Sequence, residues 1–383
     1  MFDFLKNEEK KVEYIELIYD LIFVYVIGRN NSLVSHITNG FIEPASYLTY
    51  VLCTLITIQI WYLTILFINR YGDNSFTEYI GLFVNMFLLY YMADATRVHW
   101  EAAFYRYNIA WALILLNILL QYYLKYKETA AETPWETVNI KFFIHMLAAM
   151  IAMVILGIIV YRFTGLPLTP LAMASGVAAT VIGRKKLDLI AVDFPHLSER
   201  VMLYVVFTFG EMIIAISGYF SGDFSLRNFY FSLCAFLIVV GLFMSYGFFY
   251  DKLLDREMTI SGNAYMLIHI FIIFALSSLT MSLEFMREEA IALIPKTAYL
   301  IGSFAVYYIF LFMLAPFIKG FSGSIKNFMP FIMLLILFIV LMILSYRQPV
   351  ISIALSVAMT FVFWHLEYRY WKDSVLPMEA EEA

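Results

Sequence analysis

Carboxylates set inside apolar stretches carry the clearest chemistry in this sequence. Glu13, Glu16 and Asp20 follow one another at spacings of three and four residues, which puts all three on one face of a helix. A second apolar stretch opens with His196, Glu199 and Arg200 and carries Glu211 directly after Gly210. His196 and Arg200 share a face there, whereas the adjacent Glu199 and Arg200 point about 100° apart. An ionisable group at bilayer depth is expensive, so one that persists faces a cavity or a partner. Two carboxylates held together in low dielectric resist ionising at the same time, the property needed by a site that takes up a proton or cation. Glu16, Asp20, Glu199 and Glu211 are therefore the candidate coupling acids, with His196, Arg200 and Arg29 as candidate charge partners. The competing reading of Asp20 and Glu211 is a structural ion pair. For Glu13 and Glu16 it is a seat at the membrane surface, favoured by a helix N-terminus.

A secondary set consists of Asp94-x-x-Arg97, Glu284-x-x-Arg287 and His269. The first two read more readily as salt bridges at helix ends than as ligand contacts. His269 reads equally as a helix–helix hydrogen bond or a proton relay. No His, Cys, Asp and Glu cluster has zinc-site spacing. No Gly-rich phosphate loop, Ser/His/Asp arrangement or dinucleotide fingerprint is present, so no metal or cofactor is expected and an enzyme is the weaker expectation.

The elements that must position these groups are membrane spans. Of 383 residues 62% are hydrophobic and only 14% charged, with a mean hydropathy of +0.79. Soluble domains of this size run nearer about 25% charged. The apolar residues come in runs of about twenty, the length that crosses a hydrocarbon core. Twelve spans are expected, at 13–35, 45–68, 77–95, 104–124, 140–162, 168–183, 198–220, 227–249, 262–284, 292–315, 327–345 and 348–370. The sixth is short and follows Pro167 and Pro170, which leaves eleven as the alternative. Lys and Arg favour the side bearing both termini and the even-numbered loops by about two to one, which places the termini in the cytoplasm. The first span carries acids and lacks a small-residue cleavage site, so it does not read as a removable signal. Cys53 and Cys234 lie inside apolar runs and suggest no disulfide framework. The net charge of −5 and the absence of a basic run argue against nucleic acid as a partner. Membrane lipid and a small ion or molecule remain, with a homo-oligomer compatible.

An internal duplication is also legible. Asp20 precedes Asp94 by 74 residues, and Glu211 precedes Glu284 by 73. Arg106 meets Lys296 at an offset of 190, and Tyr161-Arg162 meets Tyr346-Arg347 at 185, as do Arg184 with Arg369 and Asp188 with Asp373. Ordered matches near half the chain length predict two six-helix repeats, 1–190 and 191–383. Six is even, so the repeats run parallel through the bilayer. A symmetry axis between them would bring Asp20 and Glu211 near the centre.

Several segments resemble a known family. Glu16-Leu-Ile-Tyr-Asp20-Leu-Ile-Phe-Val24 resembles the ELFFDLVFV signature of the low temperature requirement A (LtrA) family of bacterial membrane proteins. Trp61 to Asp73, with Asn69-Arg70, resembles its WxxxNWYxNRxxTDD segment. His196-Leu-Ser-Glu199-Arg200 with Phe209-Gly210-Glu211 resembles its HxxERxGLFxIIxLGE segment, and Tyr265-Met-Leu-Ile-His269 is similar to its YLHLPL run. Two departures are Ile18-Tyr19 before the aspartate and Ile270 where the family has proline. The resemblance implies a bacterial cell membrane and names no substrate. A weaker likeness is to lysosomal potassium channels built from two six-helix repeats, whose acid-bearing first helices line the pore.

The expectation is an all-α polytopic protein of about twelve transmembrane helices in two parallel repeats, with first and seventh helices supplying the charged pathway. Its leading function is secondary transport coupled to protons or cations. The alternatives are a cation channel and a membrane-embedded enzyme acting on a lipid or lipid-linked substrate.

Overall fold

The computed structural model describes residues 11–34, 37–96, 100–129, 133–218, 225–320 and 328–381. The long apolar runs fold as α1 (Tyr14–Asn30), α2 (Pro44–Tyr71), α3 (Phe76–Ala95), α4 (Trp100–Thr129), α5 (Pro134–Thr164), α6 (Pro170–Ile182), α7 (Phe194–Ser217), α8 (Leu226–Phe248), α9 (Asn263–Arg287), α10 (Leu293–Phe312), α11 (Met329–Ser345) and α12 (Pro349–Glu381). Among the described residues nine helices are long and apolar enough to cross a membrane. Helices α6 and α11 are apolar but shorter, and the 17 residues of α1 include Glu16 and Asp20. In hydrocarbon every backbone polar group must bond within the protein, and a helix does this by itself. Outward faces are correspondingly apolar. Leu156 and Phe163 on α5, and Met333, Ile336, Leu337 and Leu344 on α11, are all more than half exposed. This is a multi-pass membrane protein.

The chain packs as two compact units. The first comprises residues 1–35, 44–203 and 257–266, the second residues 36–43, 204–256 and 267–383. In the first, α1 packs on α2 and α3, α3 on α4, α4 on α5, and α5 on α6. Prolines start α5 and α6, where a missing N–H goes unnoticed. The 257–266 segment is tied in through the Ile260 carbonyl, which accepts the Val192 amide at 3.0 Å. Gly262 allows this approach. Its φ is +74°, and a Cβ there would sit 2.6 Å from a Leu197 methyl, so neither the backbone nor the space admits a side chain.

In the second unit α8 lies along α12, α12 along α11, and α11 along α10. Gly241 lets α8 meet α12 closely, since a Cβ would fall 2.6 Å from Thr360 Cβ. Small residues serve membrane helices this way because dispersion and close backbone approach replace the hydrophobic effect. A two-stranded hairpin, β1 (Ile37–Thr38) and β2 (Phe41–Ile42), also belongs here. Its Gly40 carbonyl accepts the Ala292 amide at 2.7 Å, and Phe41 packs edge-on to Phe285 and Tyr299.

Candidate functional site: a buried acid–arginine–histidine cluster

The start of α1 shapes the first half of the site. Glu16 stands in the opening turn, and its Oε2 accepts the Glu13 amide at 3.1 Å. That bond satisfies a donor the helix leaves open and fixes the carboxylate. One turn on, Asp20 projects from the same face. Both acids are fully buried.

The start of α7 supplies the other half. Asp193 Oδ1 accepts the His196 amide at 3.1 Å, anchoring the helix end. His196 and Arg200, one turn apart, are both buried. Arg200 grips Asp20 with two donors, Nε to Oδ2 at 3.1 Å and Nη2 to Oδ1 at 2.7 Å. Nη2 also reaches the Glu16 carbonyl at 3.4 Å. Its Nη1 lies 3.3 Å from Glu16 Oε1, an ion pair that falls short of hydrogen-bond geometry. His196 Nε2 lies 3.1 Å from Glu16 Oε2. From α2, Trp61 donates its indole N–H to Asp20 Oδ1 at 2.8 Å. The bidentate fork is the geometry in which guanidinium and carboxylate bind most strongly.

Asn69, at the other end of α2, decides where the imidazole proton sits. Its Oδ1 accepts the Asp193 amide at 3.0 Å, and its Nδ2 donates to the Asp193 carbonyl at 2.9 Å. A backbone amide and a backbone carbonyl cannot exchange roles, so the orientation of the Asn69 amide is fixed. Its Nδ2 also lies 3.1 Å from His196 Nδ1. That nitrogen therefore accepts, and the ring proton is carried on Nε2 and donated to Glu16. The imidazole adds no charge in this arrangement. Two carboxylates thus face one guanidinium, and the ionised cluster carries one negative charge in excess.

The network extends through the first unit. Tyr19, beside Asp20, donates to Thr64 Oγ1 at 2.9 Å and accepts from Asn85 at 3.4 Å. Asn117 in turn bonds Asn85 Oδ1 and the Gly81 carbonyl, both at 2.8 Å. Five helices share one buried polar chain.

Of the residues singled out in the sequence, Glu16, Asp20, His196 and Arg200 come together here. Glu199 does not. It was expected to face inward, but it is exposed; Leu197, Ser198, Arg200 and Val201 around it are all buried, so Glu199 occupies the one side of this helix end that is left uncovered. Arg29 is half-buried with its guanidinium over the Tyr25 ring, 5.1 Å from the centroid, not beside the acids. Asp94 is half-buried, and Arg97 lies outside the described residues. In the second unit Glu211 and Arg287 both lie within electrostatic reach of Glu284, and Arg287 donates to the Gly218 carbonyl at 2.6 Å. His269 is buried with its Nε2 3.2 Å from the Tyr246 hydroxyl. Among the described residues no group of three or more His, Cys, Asp or Glu side chains is arranged to hold a metal ion.

Three residues escaped the sequence reading. Trp61 figures in the sequence only as the start of a segment resembling the family, yet it is fully buried and holds Asp20. Asn69 stood in a recognised segment without a role. Glu367 on α12 is buried in an apolar setting with its Oε2 unpartnered, and no spacing pattern marked it.

The family comparison bears directly on this cluster. A family model described as bacterial low temperature requirement A protein (LtrA) matches residues 11–363, a range that contains all four clustered residues. The chain belongs to the LtrA family. No curated protein matches it. The helix 1 and helix 7 segments that resemble LtrA signatures are thus the two that build the buried cluster, joined by Trp61 and Asn69 from the third.

Proposed function

We propose that this LtrA-family protein is a secondary transporter coupled to protons or cations, with Glu16 as the group that takes up and releases the coupling charge. The observation that carries this reading is the imbalance of the buried cluster, two carboxylates to one guanidinium beside an imidazole whose orientation leaves it uncharged. An unpaired ion away from water is too costly to leave uncompensated, so the excess charge calls for one proton or one cation. Asp20 is the poorer carrier, because Arg200 and Trp61 together occupy both its oxygens. Glu16 is the better one: its Oε1 has only the looser contact with Arg200, and its Oε2 is held at a helix end by an amide and an imidazole that tolerate either state of the acid. The wider reading is a protein of twelve spans in two parallel six-helix repeats in a bacterial cell membrane, with both termini cytoplasmic. Matched acids in the sequence support it.

The test uses purified protein in vesicles loaded with a pH-sensitive dye and challenged with a panel of amino acids, sugars, organic amines, and sodium and potassium salts. Solute-dependent proton or cation movement in the parent, lost in Glu16→Gln with folding retained, is the expected result. Coupled flux that survives Glu16→Gln undiminished overturns the assignment. Cation current without solute dependence transfers the reading to a channel, and no flux with lipid turnover in the same vesicles transfers it to an enzyme.

A further inference from the structure

The second unit buries an acid of its own. Glu367 stands on α12 one turn before Trp371, where the apolar window of that span ends, and it is 5% exposed. Its Oε2 has no hydrogen-bond partner, and among the described residues no cation pairs with it. An ionised carboxylate without a partner is expensive in a membrane span, so such a group faces a cavity or holds a proton. Glu367 lines a hollow of about 20 Å³ together with Ser245, Phe249, Leu253, Phe312 and Trp371. One water needs on the order of 10–15 Å³, so the hollow suits a single water. Backbone bonds frame it. After α8 the chain makes a π-helical turn, Phe249–Leu253, with the Leu254 amide reaching back to the Phe249 carbonyl at 3.0 Å. Such turns are rare and concentrate at functional sites. Across from it the Asp255 amide bonds the Phe317 carbonyl and the Lys319 amide bonds the Leu253 carbonyl, both at 2.9 Å.

Two buried hydroxyls complete the setting. Ser245 and Tyr308 are both fully buried, and neither hydroxyl has a hydrogen-bond partner. Ser245 neighbours both Glu367 and Tyr308. Three polar groups left short of a bond are what one bridging water satisfies, since a buried water makes about three. A divalent cation takes about six oxygens or more, which this set does not supply. We propose that Glu367 is a second proton-binding site, separate from the Glu16 cluster, which exchanges its proton with a water held against the Ser245 and Tyr308 hydroxyls. Uptake makes one O–H bond on Glu367 and breaks one in a hydronium ion, leaving a neutral acid and a neutral water in the apolar hollow. The surrounding groups leave that role to Glu367. Tyr307 and Tyr308 of α10 sense its charge, and α11 carries no titratable residue. On α8, Tyr246 is engaged with His269. His365 and Arg369 on α12, like Asp251 and Lys252 in the π-helical turn, are exposed, and Arg256 lies over the Tyr250 ring.

Infrared difference spectroscopy on the full-length protein in detergent tests this, because a protonated carboxyl has a carbonyl band that a carboxylate lacks. The parent minus Glu367→Gln difference should contain that band at neutral pH, where exposed carboxylates are ionised. The band should shift on transfer to deuterium oxide, disappear reversibly as pH is raised, and persist in Glu16→Gln, which separates this site from the coupling acid. Ser245→Ala should displace the band without removing it, and this variant reads the site even if Glu367→Gln fails to fold. Absence of a band that responds to either variant overturns the proposal. So does a band that never exchanges with deuterium oxide, which marks a sealed structural acid, or one abolished by sodium or potassium at constant pH, which marks a metal-cation site.

Discussion

Removing the Arg200 guanidinium is the perturbation whose energetics the cluster fixes most tightly. The side chain is fully buried, bonds Asp20 at 2.7 and 3.1 Å and lies 3.3 Å from Glu16. Arg200→Gln strands two carboxylates in the interior, and breaking a buried pair in this way costs about 3–5 kcal/mol. Asp20→Asn should cost less, about 1–3 kcal/mol, because it unpairs donors from Trp61 and Arg200 yet leaves Arg200 balanced by Glu16. Glu16→Gln should cost least, since Asp20 and Arg200 remain a closed pair. The double variant Arg200→Gln with Asp20→Asn removes both partners, so its cost should fall short of the sum by about 0.5–3 kcal/mol, the coupling expected of groups in contact. Mixed-micelle titrations with SDS, followed by tryptophan fluorescence, give these differences on one scale. If Arg200→Gln unfolds with the parent, or Glu16→Gln proves the most damaging of the three, the charge accounting is wrong.

Two further outcomes test the supports of the cluster and the packing of the second unit. Asn69→Leu removes the clamp on the Asp193 backbone and should destabilise by about 1–3 kcal/mol. Nitrogen NMR of the labelled histidines should show His196 protonated at Nε2 in the parent and lose that fixed pattern in the variant, and a parent signal from Nδ1–H would refute the orientation argument. Gly241→Ala should lower stability by about 1–3 kcal/mol through overpacking against Thr360, and adding Thr360→Ala should recover much of the loss, with no recovery placing the α8–α12 contact elsewhere.

What the sequence revealed and what it hid divide along a physical line. Helix positions were legible because hydrophobic run length and proline placement act locally, and each expected span overlaps a described helix. The Glu16 to Asp20 and His196 to Arg200 spacings were legible for the same reason, as one turn of helix is a local rule. The pairing between them was legible only as a set of candidate charge partners, because nothing local links residues about 180 positions apart and so decides which cation meets which acid. Glu199 was misplaced because spacing does not say which side of a helix end its neighbours leave uncovered: it lies three residues from buried His196 and next to buried Arg200, yet falls on the open side. The role of Trp61 was not legible because an indole at a membrane surface and an indole bonded to a buried carboxylate leave the same mark in a sequence.

The position of Asn69 shows why the decisive feature of the cluster lay beyond sequence reasoning. A histidine between a glutamate and an asparagine can carry its proton on either nitrogen, and the choice changes the charge of the whole site. Here the choice is made by two backbone groups of Asp193 that orient the Asn69 amide, which in turn orients His196. Asp193 also caps the helix that presents His196 and Arg200. One short segment before α7 therefore sets both where the cation stands and which imidazole nitrogen faces Glu16. A movement of that segment would turn the histidine and shift Arg200 together. On the transport reading proposed above, this contact would join Glu16 to the end of α7 and so link charge uptake to a movement of that helix end.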